Sequence, residues 1–298
     1  MVDFGKIKSS VILTGSNSTA YRDPAVYFDG ERFYLFGTYV ECQEGGPYLT
    51  VVESISTDLI NWSKPREITV RDRSCNFSSP GNVIRADDGY YYLCVQSYCR
   101  ENGEKYGNER SRVFTMRSTD LINWDAPRLM RVKGDIPEEE MGRMIDPFLI
   151  KDIADDKKWW CLYKQNGVSA SYSYDLENWT YSGRTESGEN VCAIRRDDGY
   201  LIFHSPPNGI AVLKTNDMQS FEPYGSLITL GQDGWEWAKG RITAGFVLDL
   251  KKEPSVGKYI MFFHGSGPEP ETTMFDHNAS IGIAWTDDDT MLDWNYIW

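Results

Sequence analysis

Hydrophobic positions in this chain come in short bursts that end in polar, turn-forming clusters, and helical periodicity is essentially absent. One unit recurs: an apolar run, a tight turn, then an aromatic run. It reads A-V-Y-F-D-G-E-R-F-Y-L-F, N-V-I-R-A-D-D-G-Y-Y-Y-L, F-L-I-K-D-I-A-D-D-K-K-W-W-C-L, V-C-A-I-R-R-D-D-G-Y-L-I-F and F-V-L-D-L-K-K-E-P-S-V-G-K-Y-I-M-F-F. Asp-Gly and Asp-Asp-Gly between such runs are hairpin chemistry, because these residues accept the backbone angles that a tight turn demands. A third apolar run follows each pair, as in L-T-V-V-E-S-I and R-V-F-T-M-R, and a short fourth follows that, as in R-E-I-T-V and R-L-M-R-V.

Between the third and fourth runs sits a repeated corner. S-T-D-L-I-N-W occupies 56–62 and again 118–124, and S-Y-D-L-E-N-W occupies 173–179. T-N-D-M-Q-S-F at 215–221 is a weaker copy and T-D-D-D-T-M-L-D-W at 286–294 a stretched one. Asp and Asn bond their own backbone in such turns, and Trp suits a wedge between neighbouring sheets, so the corner reads as structural. Small four-stranded sheets repeated every 40–50 residues or so indicate a propeller. The expectation is an all-β, five-bladed β-propeller with four antiparallel strands per blade, as a single domain over 1–298. The fifth unit reaches Trp294 only just before the chain ends, so its outer strand is expected from the N-terminus, in K-S-S-V-I-L-T.

Composition narrows the function. The net charge is −13 and no Lys/Arg-rich run occurs, which disfavours nucleic-acid and membrane partners. No apolar run is long enough to span a bilayer. The N-terminal segment lacks the apolar core of a secretion signal, so a cytoplasmic location is expected, with Cys42, Cys75, Cys94, Cys99, Cys161 and Cys192 as free thiols. The three histidines and scattered cysteines show no zinc spacing, so no metal site and no required cofactor are expected. Aromatics make up 14% of the chain, which suits strand packing and sugar-binding surfaces alike.

In a propeller the first strand of each blade lines the central channel, so equivalent positions in different blades meet at one channel mouth. Just before or at those strands stand Asp23 in Y-R-D-P, Ser79 in F-S-S-P-G-N, Asp146 in M-I-D-P, Glu189 in S-G-E-N-V, and Arg241 or Thr243 in G-R-I-T-A-G. Ser79, Asp146 and Glu189 each lie nine residues before a turn aspartate, Asp88, Asp155 and Asp198, which suggests a shared register. Crowded carboxyl groups raise one another's pKa and destabilise the fold, so their assembly signals function. Two carboxyl groups in different protonation states are what glycosidic cleavage requires, one giving a proton to the leaving oxygen and one activating water or attacking the sugar.

At these residues the chain resembles the five-bladed propeller glycoside hydrolases, above all family 43, from Asp23 to about Trp294. The resemblance implies Asp23 as general base, Asp146 as pKa modulator and orienter, and Glu189 as general acid, in an inverting hydrolysis of arabinosides or xylosides. Glu189 is followed by Asn-Val where the family often has Gly-Pro or Ala-Pro, which makes nearby Glu186 the alternative acid. The expected partner is a carbohydrate, with Arg22, Ser79, Lys164, Trp237, Arg241 and His264 as candidate substrate-binding residues. Family members often have a blade-five His near the channel axis, so a bound ion there is compatible with His264. Two other readings stand beside the hydrolase: a non-catalytic carbohydrate-binding propeller, and a phosphorylase using Arg22, Arg143, Lys164, Arg241 and His264 to hold phosphate.

Overall fold

The computed structural model describes residues 1–298 and contains five antiparallel sheets arranged as blades. Blade one is Thr19–Phe28, Phe33–Gln43, Gly46–Ser56 and Arg66–Glu67; blade three is Ile145–Lys151, Trp159–Lys164, Val168–Ser173 and Trp179–Thr185. Blade four is Glu189–Arg196, Gly199–Ser205, Ala211–Thr215 and Glu222–Pro223. In blade two the first strand is broken into Cys75–Ser78 and Val83–Arg85, followed by Tyr91–Cys99, Val113–Ser118 and Arg128–Leu129. Blade five has Arg241–Leu250, Lys258–Ser266 and Ala279–Thr286, and its fourth strand is Val11–Leu13, so pairing of the chain ends closes the ring. The only helical elements are single 3-10 turns at Phe4–Lys6, Glu138–Glu140 and Gln232–Gly234. None is long and apolar enough to cross a membrane.

The repeated corner is built the same way in its three best copies. Ser56 Oγ accepts the Leu59 N–H, Asp58 Oδ1 accepts the Ile60 and Asn61 N–H groups, and Asp58 Oδ2 accepts Asn61 Nδ2 at 2.7 Å. Ser118, Asp120 and Asn123 repeat this set, as do Ser173, Asp175 and Asn178. These bonds hold the central residue in the left-handed region, at φ 65° for Leu59 and Leu121 and 62° for Leu176, a conformation few non-glycine residues adopt. The weaker copies place Met218 and Met291 there at 57° and 55°. The corner tryptophans wedge between blades: Trp62 meets Phe262 of blade five edge-on at 6.3 Å, and Trp124 meets Phe36 of blade one at 5.6 Å.

Candidate active site

The first strand of every blade is interrupted at one level of the channel. Register slips by one residue between Arg22 and Ala25, Ile145 and Phe148, Glu189 and Cys192, and Thr243 and Phe246, and the break in blade two falls at the same place. At each interruption one residue has positive φ: Asp23 (48°), Ser79 (44°), Asp146 (52°), Asn190 (51°) and Ala244 (53°). Such bulges turn a side chain away from the ladder and toward the axis. These five are the equivalent positions, so the register read from the turns is off by one in blade four. Glu189 stands where Arg22, Ser78, Ile145 and Thr243 stand, and Asn190 is the counterpart of Asp23 and Asp146. Counting back from the turns misled because hairpin loops differ: 152–158 loop out in blade three, whereas Arg196 pairs with Gly199 across only Asp197 and Asp198 in blade four. In blade five the counterpart is Ala244, rather than Arg241 or Thr243.

A second ring supports the first. The residues paired with the pre-bulge positions are Thr38, Gln96, Lys164, Ser205 and His264, one from the second strand of each blade. Each bulge N–H donates to the preceding blade: Asp23 to His264 Nδ1 (3.1 Å), Ser79 to Thr38 Oγ1 (2.7 Å), Asp146 to Gln96 Oε1 (2.7 Å) and Ala244 to Ser205 Oγ (2.8 Å). Blade three breaks the pattern, because Lys164 has no acceptor. The Asn190 N–H turns to Asp146 Oδ2 at 3.3 Å instead, and Lys164 Nζ lies 3.6 Å from Glu189.

Asp23, Ser79, Asp146 and Glu189 converge on one cavity of about 710 Å³ at the channel mouth. Asp23 Oδ2 accepts the Thr38 hydroxyl at 2.9 Å and Oδ1 accepts Asn190 Nδ2 at 3.4 Å. Asp146 Oδ1 accepts the buried Ser79 hydroxyl at 2.9 Å. Burial pushes the Asp146 carboxyl up, the charges of Glu189 and Asp23 push it further, and Ser79 and Arg143 offset this only in part, leaving it at about 7. Burial also works to raise Glu189, but Arg241, by charge and by a 2.9 Å hydrogen bond, and then Lys164 outweigh it and hold Glu189 below its ordinary value. Glu189 therefore occupies the more cationic surroundings of the two, the reverse of what a sequence-derived general acid calls for. In the free protein the group that keeps its proton toward neutrality is Asp146.

The sequence missed the hub behind this arrangement. Glu271, buried in the loop after Lys258–Ser266, accepts Arg22 Nη2 (3.0 Å), the Ser266 hydroxyl (3.3 Å) and Arg241 Nη1, and contacts His264 Nε2 at 3.2 Å. Because His264 Nδ1 accepts the Asp23 N–H, the ring proton is on Nε2 and is donated to Glu271. The 3.5 Å approach of Nδ1 to Asp23 Oδ1 is then neither an ion pair nor a hydrogen bond. Burial opposes ionisation of Glu271, but Arg22, His264 and Arg241 hold its pKa far below the carboxylate range. Glu271 lies outside the repeat, so no comparison between blades points to it; its one signal is a carboxylate in a loop shortly after His264.

Of the candidate substrate-binding residues, Arg22, Ser79 and Arg241 line the cavity; Lys164, Trp237 and His264 do not. Lys164 stands behind Glu189. His264, 1% exposed, lies beneath Asp23 and orients it rather than meeting a ligand. Trp237 is stacked on Trp235 at 5.1 Å and on Phe263 at 5.7 Å, with its ring edge over Gly265 and Gly282, so it is a packing residue rather than a platform. Arg22 gives its donors to Glu271 and to the Phe275 carbonyl (2.8 Å), and leaves Asp23 to Thr38 and Asn190. The apolar wall comes instead from Tyr106 and Phe275, edge to face at 4.9 Å. Glu186 pairs with Arg184 on the surface, its side chain 88% exposed, and is not part of the cavity. No group of three or more His, Cys, Asp or Glu side chains is arranged to hold a metal ion.

No family model and no curated protein matches the sequence. Solved structures do match the fold. An exo-β-1,3-galactanase from Clostridium thermocellum superposes with a TM-score of 0.65 at 18% identity, covering 93% of this chain and 62% of that one. An exo-1,5-α-L-arabinanase from a bovine ruminal metagenomic library gives 0.63 at 14%, covering 94% and 98%, and a β-1,3-galactosidase of glycoside hydrolase family 43 gives 0.62 at 15%, covering 95% and 94%. With its five blades, closed ring and channel-mouth carboxyl groups, this chain has the fold of the propeller glycoside hydrolases.

Proposed function

We propose that this protein is a glycoside hydrolase of the family 43 type, acting on small glycosides or oligosaccharides of the arabinoside or xyloside kind with inversion. One observation carries the reading: three carboxyl groups from three blades meet in one cavity, and the surroundings of two of them raise Asp146 and lower Glu189. Asp23 serves as the base, its orientation fixed by His264, Thr38 and Asn190. Asp146 and Glu189 act as one titrating pair that keeps a single proton up to about pH 7. In the family-like reading the proton passes from Asp146 to Glu189 when sugar binds, leaving Asp146 ionised, and Glu189 then gives it to the leaving oxygen while Asp23 takes one from the attacking water. The family-like roles put the acid on Glu189; the proton's residence on Asp146 favours a second reading, in which Asp146 itself is the acid. Leaving-group dependence separates the two, because an activated aryl glycoside scarcely needs protonation.

Phosphorolysis is less well supported. Of the five groups that phosphate would need, Arg22 and Arg241 are committed to Glu271, Arg241 and Lys164 to Glu189, and His264 is buried. Product analysis with and without phosphate tests this. Hydrolysis releases free sugar at a rate phosphate does not change; a sugar phosphate marks a phosphorylase, and no product with retained sugar binding marks a binding propeller.

A further inference from the structure

Four cations stand at or behind the cavity, and three of them are matched to carboxylates. Arg22 pairs with Glu271 at 3.0 Å, Arg241 with Glu189 at 2.9 Å and also with Glu271, and Lys164 with Glu189 at 3.6 Å. Arg143 is different. No carboxylate lies within ion-pairing distance of its guanidinium, although it lines the same cavity as Asp23 and Asp146.

Its placement is built. The Arg143 N–H donates to Glu109 Oε2 (3.1 Å) and its carbonyl accepts Gln165 Nε2 (3.0 Å); the neighbouring Met144 N–H and Gly142 carbonyl bond Ser111 O (3.0 Å) and Arg112 Nη1 (2.8 Å). The side chain is tethered as well, because Nε donates to the Gly107 carbonyl at 2.8 Å. That bond uses the inner edge of the guanidinium and leaves both Nη groups without a protein partner. A half-buried arginine held in this way presents a planar fork, the geometry that takes a carboxylate through two parallel hydrogen bonds.

We propose that Arg143 is a specificity residue that receives a carboxylate on the carbohydrate, so that the preferred substrates are glycosides bearing a uronic acid. This rests on the glycoside reading above and deepens it. A single fork matches a carboxylate better than a phosphate dianion, for which the other cations are not free.

The test measures binding of D-glucuronate and D-galacturonate against D-glucose and D-galactose by calorimetry on the full chain. It also compares hydrolysis of xylo-oligosaccharides with and without a glucuronic acid branch. The acidic ligands are expected to bind on the order of tenfold to a hundredfold more tightly, as one charge-assisted pair gives. Arg143→Gln should erase that preference, read as the ratio of acidic-sugar to neutral-sugar affinity, and Arg143→Lys should restore only part of it. Equal binding of acidic and neutral sugars by the wild type overturns the proposal and leaves the hydrolase reading intact. Inorganic phosphate competing as well as glucuronate overturns it in favour of a phosphate site. Absence of any sugar binding overturns both readings.

Discussion

Ser79→Ala isolates the electrostatics of the site. The Ser79 hydroxyl donates to Asp146 Oδ1 at 2.9 Å, and this bond favours the ionised carboxylate, working against burial and the charges of Glu189 and Asp23. Its loss should raise the Asp146 pKa from about 7. Differential hydrogen bonding of about 1.4 kcal/mol corresponds to one pKa unit, so the alkaline limb of the kcat/KM profile should move up by roughly one unit. The backbone should tolerate the change. Ala244 occupies the equivalent left-handed position in blade five at φ 53°, and the Ser79 N–H keeps its bond to Thr38. The sign for stability follows from the same shift. Asp146 has a folded pKa above its unfolded value, so its protonated form supports folding at low pH and that support is lost as pH rises through about 7. Ser79→Ala should therefore be slightly less stable above that pH, by about 1 kcal/mol, and nearly neutral below it. The assay is a pH series of kcat/KM on a chromogenic glycoside, with carboxyl 13C shifts titrated in parallel. A limb that stays in place or moves down refutes the assignment of the site's proton to Asp146.

Glu271→Gln should destabilise the fold by about 3 kcal/mol, since it leaves the buried Arg22 beside a neutral partner and takes one of two carboxylates from the half-buried Arg241; thermal melts check this. Asp58 and Asp175 lie near 2: for Asp58, bonds from Asn61 outweigh burial, and for Asp175, the Asn178 side chain and backbone hold the carboxyl down. Their folded pKa values are depressed, so their support is present above about pH 4 and lost as pH falls toward 2. Replacing both with Asn should flatten the pH dependence of Tm in that window. All six cysteines are free in the structure, so thiol titration of unfolded, non-reduced protein should find six reactive groups; fewer would indicate disulfides.

The fold was legible because it is written five times. D-L-x-N-W corners and Asp-Gly turns recur with local chemistry that does not depend on distant partners, and even closure by Val11–Leu13 follows from the short fifth unit. Asp23 and Asp146 were legible because an Asp-Pro at a strand start survives comparison between blades. Glu189 was found with the wrong register, because hairpin loops vary in length while bulges do not. What lay outside the repeat was invisible. Glu271 and Phe275 belong to one long loop whose path over the channel no periodicity encodes, and Trp237 looked like a sugar platform because sequence cannot tell an exposed ring from one stacked on Trp235.

Hydrolysis of a panel of chromogenic α- and β-glycosides, neutral and acidic, by the wild type and by Asp23→Asn, Asp146→Asn and Glu189→Gln tests the glycosidase active site most directly. The wild type should release the chromophore from at least one sugar. Asp23→Asn should abolish release with an unchanged melting curve, and Glu189→Gln should slow alkyl glycosides far more than activated aryl glycosides. The same leaving-group signature in Asp146→Asn instead would move the acid to Asp146. A folded wild type that cleaves none of the panel, or three variants that keep the wild-type rate, would contradict the assignment of this cavity as a glycosidase active site.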